Sequence, residues 1–93
     1  MNAASAVDPA GRPRLARLFR LQWEEAQQAH VLLYPEGMVK LNSSAAEILK
    51  RCDGTRTVDV IVAELEQAFK ATNLSGDVVA FLDIAAKQGW VGP

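Results

Sequence analysis

The last apolar segment of this 93-residue chain carries more hydrophobic surface than a single packed face would bury. The segment 76–89 reads GDVVAFLDIAAKQG and has helical periodicity. A surface helix needs an apolar stripe of roughly 100°, whereas here the apolar arc exceeds half the circumference. The helix is therefore either the central helix of the core or is covered in part by a partner. The stripe consists of Val78, Val79, Leu82 and Ala86, and it is widened by Phe81, Ile84 and Ala85.

Composition limits the class of protein. The net charge of −1 creates no strong field for nucleic acid or an anionic membrane, and 49% apolar residues are typical of one small globular domain. One cysteine excludes an internal disulfide, and one histidine beside it leaves too few ligands for a zinc site. Without a signal peptide or a membrane-spanning apolar run, the expected location is the cytoplasm. We expect a flexible N-terminal tail over 1–14 and one domain over 15–93.

Three short strands are predicted in the first half of the chain. They cover 18–23, 30–34 and 38–41, and the last alternates between two faces. The sequence Tyr34-Pro35-Glu36-Gly37 is a strong turn signal, because proline presets φ at the second position and glycine suits the fourth. The second and third strands are therefore expected to form a hairpin.

Three helices are predicted to follow the hairpin. Asn42, Ser43 and Ser44 are all possible N-caps of the first, and Ser44 with Glu47 has capping-box spacing. Thr57 is the predicted N-cap of the second. The order predicts an α+β fold that resembles a winged helix-turn-helix, with an N-terminal three-stranded antiparallel sheet followed by a three-helix bundle. The expected apolar stripe of the second helix is Val58, Ile61, Val62, Leu65 and Phe69.

Catalytic chemistry is not supported by any set of residues. His30 lies within a predicted strand beside aliphatic residues, and Cys52 lies on the apolar face of the first helix, so both are interpreted as structural. No carboxylate pair is spaced for acid–base work, and the glycines stand at the ends of elements rather than in a phosphate loop. We therefore expect a protein that is not an enzyme and that uses no cofactor or metal.

The remaining features favour peptide binding. The third strand can be a sheet edge whose free backbone groups accept an extended peptide, with the third helix as an apolar wall beside it. Two alternatives stay open. One is a winged-helix DNA-binding regulator, although the third helix offers a single basic residue, Lys87, beside Asp77 and Asp83, which suits DNA recognition poorly. The other is a purely structural module that dimerises, for example by exchange of the N-terminal strand.

Several blocks of the sequence resemble the PqqD family of pyrroloquinoline quinone (PQQ) biosynthesis. They are RLFRLQWEEAQ at 17–27, LLYPEG at 32–37, KLN at 40–42, CDG at 52–54 and the closing GWV at 89–91. The resemblance implies a non-catalytic peptide chaperone that binds the ribosomal precursor peptide PqqA. It also implies presentation of that peptide to PqqE, the radical SAM enzyme that crosslinks a glutamate and a tyrosine. We expect the working form to be a monomer, with a dimer possible, and no nucleic-acid or membrane partner.

The same resemblance to peptide recognition elements implies a binding groove. In such elements the leader peptide adds as a strand beside the third strand and packs against the third helix. If the Val39 N–H points outward, Val39→Pro is expected to weaken peptide binding in a folded domain; if it faces the hairpin, Met38 or Lys40 is the position to change. The expected groove residues are Gly37, Met38, Val39, Lys40 and Leu41 on the strand, and Val79, Leu82, Asp83 and Ala86 on the helix.

Overall fold

The structure is a computed structural model that describes residues 8–93. It has the predicted α+β order, in which a three-stranded antiparallel sheet precedes three helices. A 3₁₀ turn at Glu25–Gln27 joins the first two strands of this sheet. The elements are β1 (Arg14–Leu15), β2 (Arg20–Glu24), β3 (Ala29–Tyr34), β4 (Gly37–Lys40), α1 (Ser43–Lys50), α2 (Val58–Phe69), α3 (Ser75–Lys87) and β5 (Val91–Gly92).

The main sheet has the order β2-β3-β4, so β3 is central and the other two strands are edges. The predicted hairpin of the second and third predicted strands is confirmed, with Tyr34 opposite Gly37 where the chain turns. The first predicted strand begins two residues later than expected, at Arg20. The reason is a turn at residues 17–18, which the Phe19 amide closes by donating to the Ala16 carbonyl over 2.9 Å, so Leu18 lies in the turn rather than in the strand.

A second, two-stranded sheet closes the domain and was not predicted. Leu15 of β1 lies opposite Val91 of β5, and the Ala16 amide donates to the Trp90 carbonyl over 2.8 Å. Strands of two residues carry too little periodicity to be read from sequence. This pairing brings the two ends of the domain together.

The segment expected as a flexible tail makes hydrogen bonds over residues 8–14. The carbonyls of Pro9 and Gly11 accept hydrogen bonds from the first amides of α2, and Arg14 belongs to β1. Helix N-termini leave amides without partners inside the helix, and this segment satisfies two of them. The rest of the expected tail, residues 1–7, lies outside the described residues.

The helix N-caps follow the sequence only in part. Thr57 caps α2 as predicted, its Oγ1 accepting from the Val60 amide over 3.1 Å. Of the three candidates for α1, Asn42 is the cap, with Oδ1 accepting from the Ala45 amide over 2.8 Å. The Ser44–Glu47 capping box was wrong, because Ser44 is already inside the helix.

The core lies between the three helices and one face of the sheet. Leu32 in β3 is fully buried, and the predicted α2 stripe is buried except for Phe69, which is 55% exposed. Phe69 ends α2, and the following Lys70 turns into the left-handed region, so the last turn extends beyond the core. The residues of the core cluster are Leu32, Leu41, Ala45, Ala46, Ile48, Leu49, Cys52, Val58, Ile61, Val62, Leu65, Val78, Leu82, Ala85 and Val91.

Helix α3 is central to this core but is not fully covered. Its deepest residues are Val78, Leu82 and Ala85, whereas Ile84 is 56% exposed. Val79, Phe81 and Ala86 are half-buried and pack against the core cluster. The wide apolar arc is therefore explained mostly by core packing, with Ile84 left on the surface.

Candidate functional site

The free edge of β4 is defined by one hydrogen bond at its end. The Leu41 amide donates to the His30 carbonyl over 3.0 Å. In an antiparallel pair, hydrogen-bonded positions alternate along the strand. The register pairs Leu32 with Val39, two positions from this bond, so Val39 faces β3 with both its N–H and its C=O. Of the two alternatives, the Val39 N–H therefore faces the hairpin, and Met38 or Lys40 is the position to change.

The same alternation turns the backbone of Met38 and Lys40 away from β3. Each residue presents one N–H donor and one C=O acceptor at the sheet edge. Within residues 8–93, no backbone hydrogen bond of a turn, loop or helix cap uses these groups. Unpaired strand groups of this kind are a template for another extended chain. Four backbone groups on two residues thus form the part of β4 that can pair with a peptide.

Both ends of this edge are fixed by neighbouring structure. Gly37 lies opposite Tyr34 at the turn, which closes one end of the ladder. At the other end Asn42 is committed to α1: its carbonyl accepts from the Ala46 amide over 3.0 Å, and its side chain caps the helix. The edge available to a peptide is therefore short, centred on residues 38–40.

The side chains of β4 divide between two faces. Met38 is 47% exposed and Lys40 is also exposed, and both lie on the face away from the core. Val39 is half-buried against the core cluster and Leu41 is buried. Of the predicted strand residues, Met38 and Lys40 can meet a ligand directly, whereas Leu41 chiefly supports the strand.

The predicted helix wall divides in the same way. Leu82 is only 1% exposed, so it packs inside the domain rather than lining an open groove. Val79 and Ala86 are half-buried and pack against the same core cluster as Val39. Asp83 is also half-buried, and its carboxylate pairs with the Lys87 Nζ at 3.4 Å. Of the four predicted helix residues, Val79, Asp83 and Ala86 are therefore the ones that a ligand can reach.

Sequence reasoning missed an apolar cavity of about 340 Å³ at the other end of α3. Phe69 lines this cavity and is exposed. The apolar stripe of α2 was the one sequence signal in this region, and it predicted that Phe69 is buried rather than that a cavity is present. The lining combines the start of α1, the end of α2 and the start of α3: Ser43, Ser44, Ile48, Leu65, Phe69, Ala71, Leu74, Asp77 and Val78.

The two residues with the greatest catalytic potential are both in structural positions. His30 makes an edge-to-face contact with Trp23, their ring centroids 5.1 Å apart. Cys52 is buried, and burial, together with the nearby Asp53 charge, raises the pKa of its thiol to about 12. Among residues 8–93, no group of histidine, cysteine and carboxylate side chains could hold a metal ion. No helix in that range is long and apolar enough to cross a membrane.

A network of charges ties α1 to α2. Arg51 contacts Glu47 at 3.0 Å and Glu64 at 3.1 Å, and Arg56 contacts Glu64 at 3.0 Å. Hydrogen bonds from Lys50 and then Arg51 lower the pKa of Glu47. These ion pairs join neighbouring helices on the surface, and we assign them a structural role.

Comparisons with known proteins agree on one family. Residues 29–91 match the family described as Coenzyme PQQ synthesis protein D (PqqD). The PqqA binding protein of Stutzerimonas stutzeri is 54% identical over 85% of this chain and 87% of its own length. That of Methylococcus capsulatus is 48% identical over 92% of both.

A solved structure is similar over nearly the whole chain. It is the solution NMR structure of the PqqD truncation of Methylobacterium extorquens PqqCD, described as a functional and stand-alone recognition element for ribosomally synthesised and post-translationally modified peptides. The TM-score is 0.76 at 31% identity, with 97% of this chain and 100% of that chain covered. The fold predicted from sequence is therefore confirmed by a related protein as well as by the elements themselves.

Proposed function

Because the chain belongs to the PqqD family, we propose that it is a peptide-binding chaperone of PQQ biosynthesis and that the PqqA precursor adds as a strand to β4. The observation that carries the mode of binding is the outward direction of the Met38 and Lys40 backbone groups. Strand addition uses main-chain hydrogen bonds for affinity and side-chain pockets for specificity. The edge of β4, with two free donors and two free acceptors, supplies the main-chain hydrogen bonds.

Helix α3 supplies the apolar contact in this proposal. A strand beside β4 alternates its side chains between the two faces of the sheet. The residues of the peptide that point toward the core side meet the half-buried Val39, and we propose Val79 and Ala86 as their neighbours on α3. Asp83 adds a charged group to the same helix, and Leu82 holds the helix in place from inside the core.

The handover of the peptide is the second part of the proposal. We propose that the bound PqqA is presented to PqqE, the radical SAM partner implied by the family resemblance, and that this chain takes no part in the bond-forming chemistry. A peptide held in extended form by its backbone leaves the side chains on the outer face accessible. The rate of crosslink formation by PqqE, measured with and without this chain, tests this step separately from peptide binding.

The test of binding is a ¹⁵N NMR titration with the PqqA peptide of Stutzerimonas stutzeri, whose binding protein is 54% identical to this chain. Amides of residues 37–42 and 77–88 are expected to shift. The Met38 and Lys40 amides gain hydrogen bonds and are expected to become protected from hydrogen exchange, whereas the Val39 amide, already bonded to Leu32, is protected in both states.

The pattern of shifts decides between modes of binding. Protection gained at Met38 and Lys40 together with shifts in α3 supports strand addition in the proposed groove. Shifts confined to residues around the cavity near Phe69 would place the peptide elsewhere and contradict the proposal. A silent spectrum from the folded protein would contradict PqqA binding itself.

A further inference from the structure

The strand β2 forms the second free edge of the main sheet. Because Leu32 of β3 faces β4, the neighbouring Val31 faces β2, where its register partner is Gln22. Leu21 and Trp23, on either side of Gln22, therefore turn their N–H and C=O groups away from β3. Within residues 8–93, no backbone hydrogen bond of a turn, loop or helix cap uses those groups.

Unlike many edges, β2 carries no lysine or proline that would discourage pairing with another strand. Its sequence, Arg20-Leu21-Gln22-Trp23-Glu24, has opposite charges at its two ends and apolar residues inside them. Arg20 and Glu24 lie on the same face as Gln22, about 13 Å apart along the strand, which is too far for them to pair with each other. In the part of the chain that the structure describes, neither forms an ion pair.

This charge pattern is complementary to itself when the strand is reversed. We propose that a second copy of this chain pairs with β2 in antiparallel fashion, about a two-fold axis at Gln22. Arg20 then lies opposite the partner's Glu24, and the symmetry creates the same ion pair a second time. Leu21 lies opposite the partner's Trp23, and the outward backbone groups of these two residues form the hydrogen-bonded pairs.

The charges select this register over its neighbours. Shifting the partner by two residues keeps the outward groups paired but places Arg20 or Glu24 opposite a glutamine, so both ion pairs are lost. Apolar contact supports the same alignment, because it places Trp23, which is 47% exposed, opposite the partner's Leu21. An isologous two-fold contact is also the commonest geometry of soluble homo-oligomers.

The interface is small, so the dimer is weak. A single pair of five-residue strands buries less than the roughly 1,200 Å² of a stable protein–protein interface. The dimer is expected at high protein concentration and forms one six-stranded sheet. Both β4 edges lie at the far ends of that sheet and stay free, so this inference neither requires nor blocks peptide binding.

Sedimentation equilibrium tests the contact, from about 10 μM to about 1 mM protein at low ionic strength. The native chain is expected to approach twice its 10.1 kDa mass as concentration rises. Arg20→Glu and Glu24→Arg each place like charges opposite one another at two positions. Each is expected to raise the Kd of the dimer at least about four-fold, since a cross-strand charge pair and its like-charge counterpart have comparable energies of opposite sign.

The double variant Arg20→Glu/Glu24→Arg is the matched control. It exchanges the two charges and restores both opposite pairs, so its Kd is expected to return toward the native value. Recovery in the double variant supports the pairing about Gln22. A chain that stays monomeric to 1 mM, a dimer indifferent to the single reversals, or a double variant as weak as either single one would each overturn it.

Discussion

Val39 lies directly opposite Leu32 in the β3–β4 ladder, as one of the pairs that exchange backbone hydrogen bonds. This relationship decides which residues of β4 can serve a peptide. Two positions further along, the Leu41 amide bonds to His30, so Val39 and Leu41 are both committed to β3. The residues on either side of Val39, Met38 and Lys40, carry the free groups.

Replacing Lys40 with proline is expected to weaken PqqA binding more than ten-fold while the domain stays folded. The change removes one outward N–H, places a ring at the edge where the peptide must approach, and leaves the β3–β4 ladder intact. Isothermal titration calorimetry measures the Kd, and urea denaturation measures the free energy of unfolding.

Two variants control this prediction. Lys40→Ala removes the side chain but keeps the N–H, so a much smaller loss of affinity separates the backbone effect from the charge. Val39→Pro removes a ladder bond to Leu32 and leaves a buried carbonyl unpaired, which is expected to cost about 1–3 kcal/mol of stability. Tight PqqA binding by a folded Lys40→Pro protein would exclude strand addition at β4.

A second prediction concerns the two faces of α3. Leu82→Ala is expected to lower the free energy of unfolding by about 2–5 kcal/mol, because Leu82 is 1% exposed and its loss leaves a cavity. Ile84→Ala, on the same helix, is expected to change it by no more than about 0.5 kcal/mol, since Ile84 is 56% exposed. Equal losses in urea denaturation would contradict this orientation of the helix.

The order of elements could be predicted from sequence because each main element has its own local signal. The Pro35–Gly37 turn, the Thr57 cap and the apolar repeats of α1–α3 all act over a few residues. The β1–β5 pairing could not be predicted, because it joins two-residue strands from opposite ends of the chain. It depends on tertiary contacts that no short window of sequence contains.

The candidate site shows the same limit at finer scale. The resemblance selected the strand correctly as an edge of the sheet, but the direction of each N–H depends on which pairs are hydrogen-bonded. That parity is set by the turn and by the Leu41–His30 bond. The depth of a helix residue is equally a tertiary property: Val79 and Leu82 share one stripe, but only Leu82 is fully buried.

The Cys52 thiol is expected to react slowly with Ellman's reagent in the native protein. The thiolate is the reactive form, and burial raises the pKa of this thiol to about 12. At pH 8 the rate in the folded state is expected to be at least about a hundred-fold lower than in concentrated urea. Rapid labelling of a protein that circular dichroism shows to be folded would mean that the segment after α1 opens readily at Cys52.

The last prediction concerns stability in acid. Hydrogen bonds from Lys50 and Arg51 hold the pKa of Glu47 below its ordinary value of 4.5. The folded state therefore prefers the charged form, so this group stabilises the protein above pH 4.5, and its contribution is lost as the pH falls through the lowered pKa. Glu47→Gln is expected to lower the free energy of unfolding at pH 7 by at most about 1 kcal/mol. Its deficit relative to the native chain is expected to shrink as the pH is taken below 4.5.

Glu36→Gln, at the exposed hairpin turn, is the control and is expected to follow the native pH profile. If the deficit of Glu47→Gln in urea denaturation stays constant between pH 7 and pH 3, the ion pairs of Glu47 do not contribute to the acid sensitivity of the fold.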